Sequence, residues 1–408
     1  MAFGIGLHLF SIQKIYFGIL SVNSFGAFFA ILLISALLLL NLIAYSYSSD
    51  YVIFAGLSSF MLLGSFAVVF SAAIPLVFIG LELVTMPAVF IILVSTRRSV
   101  EAAIKYLIVS ALATAVFALA MVFFFGASGS LEITPLAKSA FSITALALFF
   151  VALGIESSQF PFSVVFPDVY EGSAGYATAL LGGFNELVGF AALLLVVYVA
   201  FATFKISAGF AVFTMFYGNL AALHQENLKR LMAYSSISQA GYIIIGLAAG
   251  STSGIAASMF QIFAHSFLFI GLLAVISWLE SRGRSSIESV IGLRDENKLA
   301  AFALVLFLLG LIGMPFTTGF VGKFLLFLSA VKSNMVWLAI LGIINSIISI
   351  FYYAKLITAV LTSKFNARKQ SMEITTKIVI IICSIVTLLF GIYASPVSNI
   401  AAYAAKAI

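Results

Sequence analysis

The sequence predicts a polytopic all-α membrane protein, and three observations lead to that class. Of 408 residues, 63% are hydrophobic and only 8% charged, against about 25% charged in an average soluble domain. Apolar stretches recur along nearly the whole chain, each near the roughly 20 residues a helix needs to cross a hydrocarbon core of about 30 Å. The alternating segments of about ten residues that mark a transmembrane β-barrel do not occur.

About twelve spans can be placed in order: 24–48, 51–72, 74–96, 101–126, 141–163, 174–203, 207–225, 229–250, 253–280, 299–329, 334–362 and 374–396. The first twenty residues contain Lys14 and are less cleanly apolar, so a partial or interfacial segment is expected there; they carry no signal-peptide pattern. The chain then divides into an N-terminal segment with the first helix (1–50), two halves (51–203 and 207–362), and a C-terminal helix and tail (363–408). The longest polar stretch, 281–298, reads as a connection between helices.

Several functions are excluded by residue type. Cys383 is the only cysteine, which rules out internal disulfides and cysteine-ligated iron–sulfur or zinc sites. The three histidines are widely separated and form no metal constellation, and no glycine-rich phosphate loop is present. No cofactor or metal is therefore expected on this chain. The net charge of +6 is a topology signal and not a nucleic-acid patch, because of where the charges lie. Connections leaving odd-numbered helices hold Arg97, Arg98, Lys229, Arg230, Arg282, Arg284, Arg294, Lys298, Lys364, Arg368, Lys369 and Lys377. The opposite side holds only Lys14, Lys138, Lys205, Lys332 and Lys406. Lys and Arg are enriched in cytoplasmic loops, so the first group is expected on the cytoplasmic side of a cell membrane and both termini on the external side.

Ionisable groups within the spans are the candidate functional residues, since a charge near the bilayer centre costs at least about 2.5–3.5 kcal/mol. They are Glu82, Lys105, Glu156, Glu186, His265, Lys323 and Lys355. Glu82 lies about 12 Å into its helix at 1.5 Å per residue. Lys105 follows Glu101 by one helical turn, a favourable pairing that also fits an interfacial lysine. Glu156 precedes Pro161 and Lys323 follows Pro315, and each proline interrupts the helical ladder, leaving carbonyls that must face protein or water. Two such interruptions, one in each half, are the pattern of inverted-repeat transporters. Buried ion pairs that merely hold a bundle together are the plainer alternative. His265 fits a hydrogen-bonded core group equally well, Lys355 fits an interfacial anchor, and Lys229 is a further secondary candidate.

These residues sit in GLELVTMP (80–87), RRSVEAAIKYLIVSALAT (97–114), PFSVVFPDVYEG (161–172), NLKRLMAYSSISQAGY (227–242) and GMPFTTGFVGKF (313–324). In these motifs and their order the chain resembles the antiporter-like subunits of complex I, the N type most closely, over roughly residues 24–396. The resemblance implies a fold of fourteen helices in two inverted five-helix repeats, each with a broken helix. It also implies a central hydrophilic axis of Glu, Lys and His that carries protons. Enzymatic activity would belong to a whole quinone-reducing assembly, with neighbouring antiporter-like and small membrane subunits as partners and the redox cofactors elsewhere. SVNSFGAFFAILL looks like the family's third helix, so about two leading helices are missing.

Glu82 and Lys323 match the family's entry glutamate and terminal lysine. Glu156 and Glu186 fall where the family has lysines, and Ser163 replaces a frequent histidine. These reversals imply a carboxylate relay of Glu82, Glu156 and Glu186, whose members cannot all be ionised together at short range, with Lys105 as the nearest candidate counter-charge among the intramembrane residues. They also keep other readings open: a subunit of a multisubunit cation/proton antiporter or a membrane-bound hydrogenase, a stand-alone secondary transporter, or a scaffold that no longer conducts.

Overall fold

A backbone inside hydrocarbon must satisfy its own N–H and C=O groups, and this chain does so almost entirely with helices. The computed structural model describes residues 14–16, 18–96, 99–201, 206–363 and 369–408. Strands β1 (Lys14–Tyr16) and β2 (Leu20–Val22) form a small antiparallel hairpin with Lys14 opposite Val22. The expected partial segment is thus a hairpin where it is described; residues 1–13 lie outside the described residues, as do Arg97, Arg98, Lys205, Lys364 and Arg368 of the charge pattern.

Sixteen helices follow among the described residues. The first four are α1 (Ser24–Tyr47), α2 (Tyr51–Val69), α3 (Ile74–Ser95) and α4 (Val100–Ser128). Next come α5 (Ala140–Glu156), α6 (Phe166–Gly172), α7 (Gly175–Phe201) and α8 (Ser207–Ala222). The second half holds α9 (Leu228–Ala249), α10 (Thr252–Glu280), α11 (Leu293–Glu296), α12 (Lys298–Ile312) and α13 (Thr318–Lys332). The chain ends with α14 (Val336–Leu361), α15 (Ile374–Ile392) and α16 (Ser395–Ala404). Side-chain oxygens of Asn23, Asn227, Ser251, Asn297 and Thr317 cap the free N–H groups that begin α1, α9, α10, α12 and α13.

Nine of these helices are long and apolar enough to cross a bilayer. Three expected spans are shorter: 207–225 is α8, of 16 residues, and the other two are cut short near a proline. The span expected at 141–163 stops as helix at Glu156, five residues before Pro161. The span expected at 299–329 is two helices, α12 and α13, parted at residues 313–317 around Pro315. Gly313 closes α12 at φ +92°, a left-handed conformation that a side chain would resist. The polar 281–298 stretch contains one 3-10 turn (Glu288–Val290) and the short α11. The terminal α16 is a helix where only a tail had been expected.

Burial grades inward. Every residue in the spanning window of α9 is buried, as is nearly all of α10, whereas α4 and α15 present most of theirs outward. Helix α7 reaches α10 across Gly182 and Gly183, where a Cβ would come within 2.2 Å of the Phe269 ring and 2.5 Å of Ile270. That contact sits within a π-helical turn, Leu181–Asn185, which hands directly to Glu186. Widened turns of this kind occur often at functional sites.

The two ends of the bundle differ in charge. At one end the starts of α4 and α9 meet through Lys105, Asp168 and Arg230, while Arg282 pairs with Glu373 and Arg284 with Glu296. At the other end the β hairpin, Ser71 and Glu132 surround the C-terminal residues Ala407 and Ile408. Cysteines placed at Ser285 and at Lys406, in a Cys383→Ser background, are expected to react with an impermeant maleimide from opposite faces of oriented vesicles. Reaction of both from one face would contradict this arrangement.

A buried polar axis as the candidate functional site

Polar side chains rarely accumulate in a bundle interior unless they partner one another, and here they form three linked groups. The first lies between α3, α4 and α5. Glu82, partly buried, accepts a short hydrogen bond from the Thr114 hydroxyl. Glu156, the last helical residue of α5, shares with it the lining of a cavity of about 10 Å³, close to the least volume that holds one water. The helix break therefore places a second carboxyl beside the first.

The second group is centred on Glu186, which is 2% exposed. Its Oε1 accepts hydrogen bonds from Tyr170 at 2.7 Å and Ser158 at 3.0 Å. Its Oε2 accepts a short one from Ser236 and lies 3.6 Å from His265 Nε2. Ser158 belongs to the break itself and adopts φ +56°, a left-handed conformation that costs a non-glycine residue energy and commonly marks a site. One irregular segment thus carries Glu156 to Glu82 and Ser158 to Glu186. His265 packs its ring 4.9 Å from Phe269, and its Nδ1 is buried with no hydrogen-bond partner among the described residues.

The third group surrounds Lys323. Its ammonium donates to the carbonyls of Leu311 (2.7 Å) and Ile312 (3.1 Å), the groups that the end of α12 leaves unpaired, and it lies 4.4 Å from the Tyr242 ring centroid. An ammonium over an aromatic face gains a further electrostatic attraction. The Leu311 carbonyl also accepts from Gln239 Nε2 at 3.2 Å, and Gln239 Oε1 accepts from Gln261 Nε2 at 3.2 Å. Behind Tyr242, a network runs through Asn345, Asn219 and Tyr352.

Helix α9 joins the second group to the third. Ser236, Gln239 and Tyr242 follow at intervals of three, so they occupy one helical face about 9 Å long. On the antiparallel α10, His265 meets Ser236 (3.4 Å) and Gln261 meets Gln239, which makes two cross-helix rungs.

Residues 71–349 match the model of the family described as NADH:quinone oxidoreductase/Mrp antiporter, TM. The chain belongs to this family. It is 34% identical over 342 residues to NADH-quinone oxidoreductase subunit N 1 of Chloroherpeton thalassium, covering 80% of this chain and 72% of that one. It is 31% identical over 414 residues to subunit N of Desulforamulus reducens, covering 95% and 86%. Among solved structures it is similar to a chain of respiratory complex I from Thermus thermophilus with bound aureothin, at 26% identity and a TM-score of 0.87, covering 98% and 90%. A chain of an archaeal membrane-bound sulfane sulfur reductase shares the fold with a TM-score of 0.89 at 23% identity, covering 100% and 89%.

In this antiporter-family chain the structure sorts the sequence candidates into two sets. Glu82, Glu156, Glu186, His265 and Lys323 lie along the axis. Lys105 does not serve as counter-charge to the carboxylates: it pairs with Glu101 at 2.7 Å and Asp168 at 2.9 Å at the basic end of the bundle. There Glu101, Lys105, Asp168 and Glu171 line an open cleft of about 250 Å³. Lys229 is buried at the same end, donating short hydrogen bonds to Glu280 and the Ser173 carbonyl, and so ties α9 to α10 and to the start of α7. Lys355 points outward from α14. Reasoning from charge alone missed Ser158, Tyr170, Ser236, Gln239, Tyr242 and Gln261. For Ser236, Gln239 and Tyr242 the one signal is their spacing of three in YSSISQAGY, faint because the other faces of that helix are buried too; Ser158, Tyr170 and Gln261 carry none.

Lys229→Ala leaves Glu280 without its cation and is expected to cost about 3 kcal/mol, against about 0.5 kcal/mol or less for the outward Lys355→Ala. Thermal unfolding of the solubilised protein compares them, and equal losses would show that the Lys229 clamp is not structural.

The hydrogen bond from Lys105, opposed by partial burial and helped by Arg230, holds the Asp168 carboxyl below the usual carboxylate range. A depressed acid stabilises above its unfolded value, about 3.9, and loses that contribution as pH falls through the folded value. Asp168→Asn is therefore expected to lower the thermal midpoint at pH 7, with the gap from wild type closing below about pH 4. A gap that persists unchanged at acid pH would remove the ion pair as its cause.

Proposed function

We propose that this chain is the N-type antiporter-like membrane subunit of a complex I-like NADH-quinone oxidoreductase and conducts protons along the Glu82–Lys323 axis. The observation that carries the reading is the continuity of that axis. Carboxyl, hydroxyl and imidazole groups follow one another from Glu82 and Glu156, through Ser158, Glu186 and Ser236, to His265. The α9 face then leads to Lys323.

In this reading, protons enter from the basic, cytoplasmic end near Glu82, and water carries them across the gaps between fixed groups. Glu186 receives a proton with three hydroxyl donors already aimed at its oxygens. Lys323 exchanges its proton toward the opposite side. Electron transfer occurs in partner subunits, and this chain needs no redox cofactor of its own. Two inverted repeats, 51–203 and 207–362, would relate the broken α5–α6 to the broken α12–α13. The matching placement of Glu156 and Lys323 beside the two breaks supports that relation. The positive-inside distribution of Lys and Arg supports cytoplasmic exposure of the ion-paired end.

The test is proton pumping by the reconstituted complex. Removing a positioned proton-transfer group commonly costs about 10², so Lys323→Ala and Glu186→Gln should each lower pumping at least about tenfold while assembly survives. Lys323→Arg should also fail, since Arg keeps its proton at any accessible pH. Glu156→Lys, which installs the charge of the family pattern, should be better tolerated than Glu156→Leu. A wild-type proton-to-electron ratio in Lys323→Ala and Glu186→Gln, with normal assembly, would establish instead a scaffold whose acids are structural.

A further inference from the structure

The buried face of α13 carries Lys323, and its outward face carries a separate pattern. Phe320, Phe324, Leu328 and Lys332 follow at intervals of four, all exposed, with the Phe320 and Phe324 rings stacked at 6.2 Å between centroids. The helix starts at the break beside Pro315, within the span, and finishes at Lys332. From Phe320 to Lys332 the stripe measures about 18 Å at 1.5 Å per residue, comparable with one leaflet of a core about 30 Å thick. Its inner end is aromatic and its outer end cationic.

Lys332 opens onto a cleft of about 260 Å³ between α10, α13 and α16, where Ser253, Ser329, Ser398 and Asn399 also line the wall. No acidic side chain is among its lining residues, and Lys332 forms no ion pair among the described residues. The Ser329 hydroxyl donates back to the Leu326 carbonyl at 2.7 Å. The Ser398 hydroxyl donates to the Ser395 carbonyl and Ser253 shares a hydrogen bond with Ser251, so the ammonium of Lys332 and the amide of Asn399 are the strongest donors available to a ligand. This end of the bundle is the one poor in basic residues, so a cation here is not part of the general topology signal.

We propose that this surface is a binding site for one anionic phospholipid, with its phosphate in the cleft against Lys332 and Asn399 and an acyl chain along Leu328, Phe324 and Phe320. A cationic group at a headgroup-depth cleft, continuous with an apolar stripe one acyl chain long, fits that molecule in both charge and length. The site is independent of the proton path, since it uses the other face of the helix.

The test uses the intact complex in mixed bilayers with photoactivatable phosphatidylglycerol or phosphatidylcholine, mapping labelled peptides that contain residues 320–332. One lysine near an anionic headgroup changes occupancy about fivefold, so phosphatidylglycerol should label wild type about fivefold more than phosphatidylcholine. Lys332→Gln should abolish that preference, Lys138→Gln at the same end should leave it, and high salt should reduce it in wild type without any mutation. Equal labelling by the two lipids in wild type would overturn the proposal. So would an unlabelled stripe, which would mean that a neighbouring subunit covers it, or complete loss of phosphatidylglycerol labelling on adding inorganic phosphate, which would mean a site for free anions.

Discussion

Hydrocarbon offers no hydrogen bonds, and every other feature of this molecule follows from how the chain meets that constraint at the two places where its helices break. At residues 313–317 the Leu311 and Ile312 carbonyls would be unpaired inside the span. The Lys323 ammonium takes both, and Gln239 adds a second donor to Leu311. At the other break Ser158, Ser157 and Gln159 turn inward, and the Ser157 hydroxyl bonds both the Leu153 carbonyl and Gln159. Ionisable and polar side chains thus satisfy the backbone at the breaks and, by the same contacts, are brought into the bundle centre. Stability and the candidate chemistry share the same atoms.

That sharing also explains the layering. Helices α9 and α10 must be polar on the faces that meet the breaks, and a polar helix is tolerated in a membrane only when other helices cover it. Helices α4, α14 and α15 accordingly form an apolar rim. Ion pairs cluster at one end, where Lys105, Asp168, Arg230, Lys229 and Glu280 tie the starts of α4, α7 and α9 to the finish of α10. These ties fix the register of the helices that carry the axis.

Much of this was legible in the sequence, because hydrophobic length and proline position are local properties. The spans, both interruptions and the intramembrane charges could all be read without a structure. What could not be read was pairing across helices. Of the cations within the expected spans, Lys105 is the nearest in sequence to Glu82 and Glu156, yet Asp168, brought in by α6, takes it. Glu186 stands out only as an acid; that Tyr170, Ser158, Ser236 and His265 converge on it depends on four separate segments. Neutral residues such as Gln239 and Gln261 carry no charge to flag them, and the burial of all sides of α9 hides the periodicity that would have singled out one face.

The Gln239–Gln261 rung has one more consequence. Carboxamides neither gain nor lose a proton at accessible pH, so this rung cannot itself be charged. It lies between the Glu186–His265 pair on one side and Lys323 on the other. On the proposed path a proton would pass from His265 to Lys323 beside a rung that cannot hold it, so that step would fall to water rather than to a side chain.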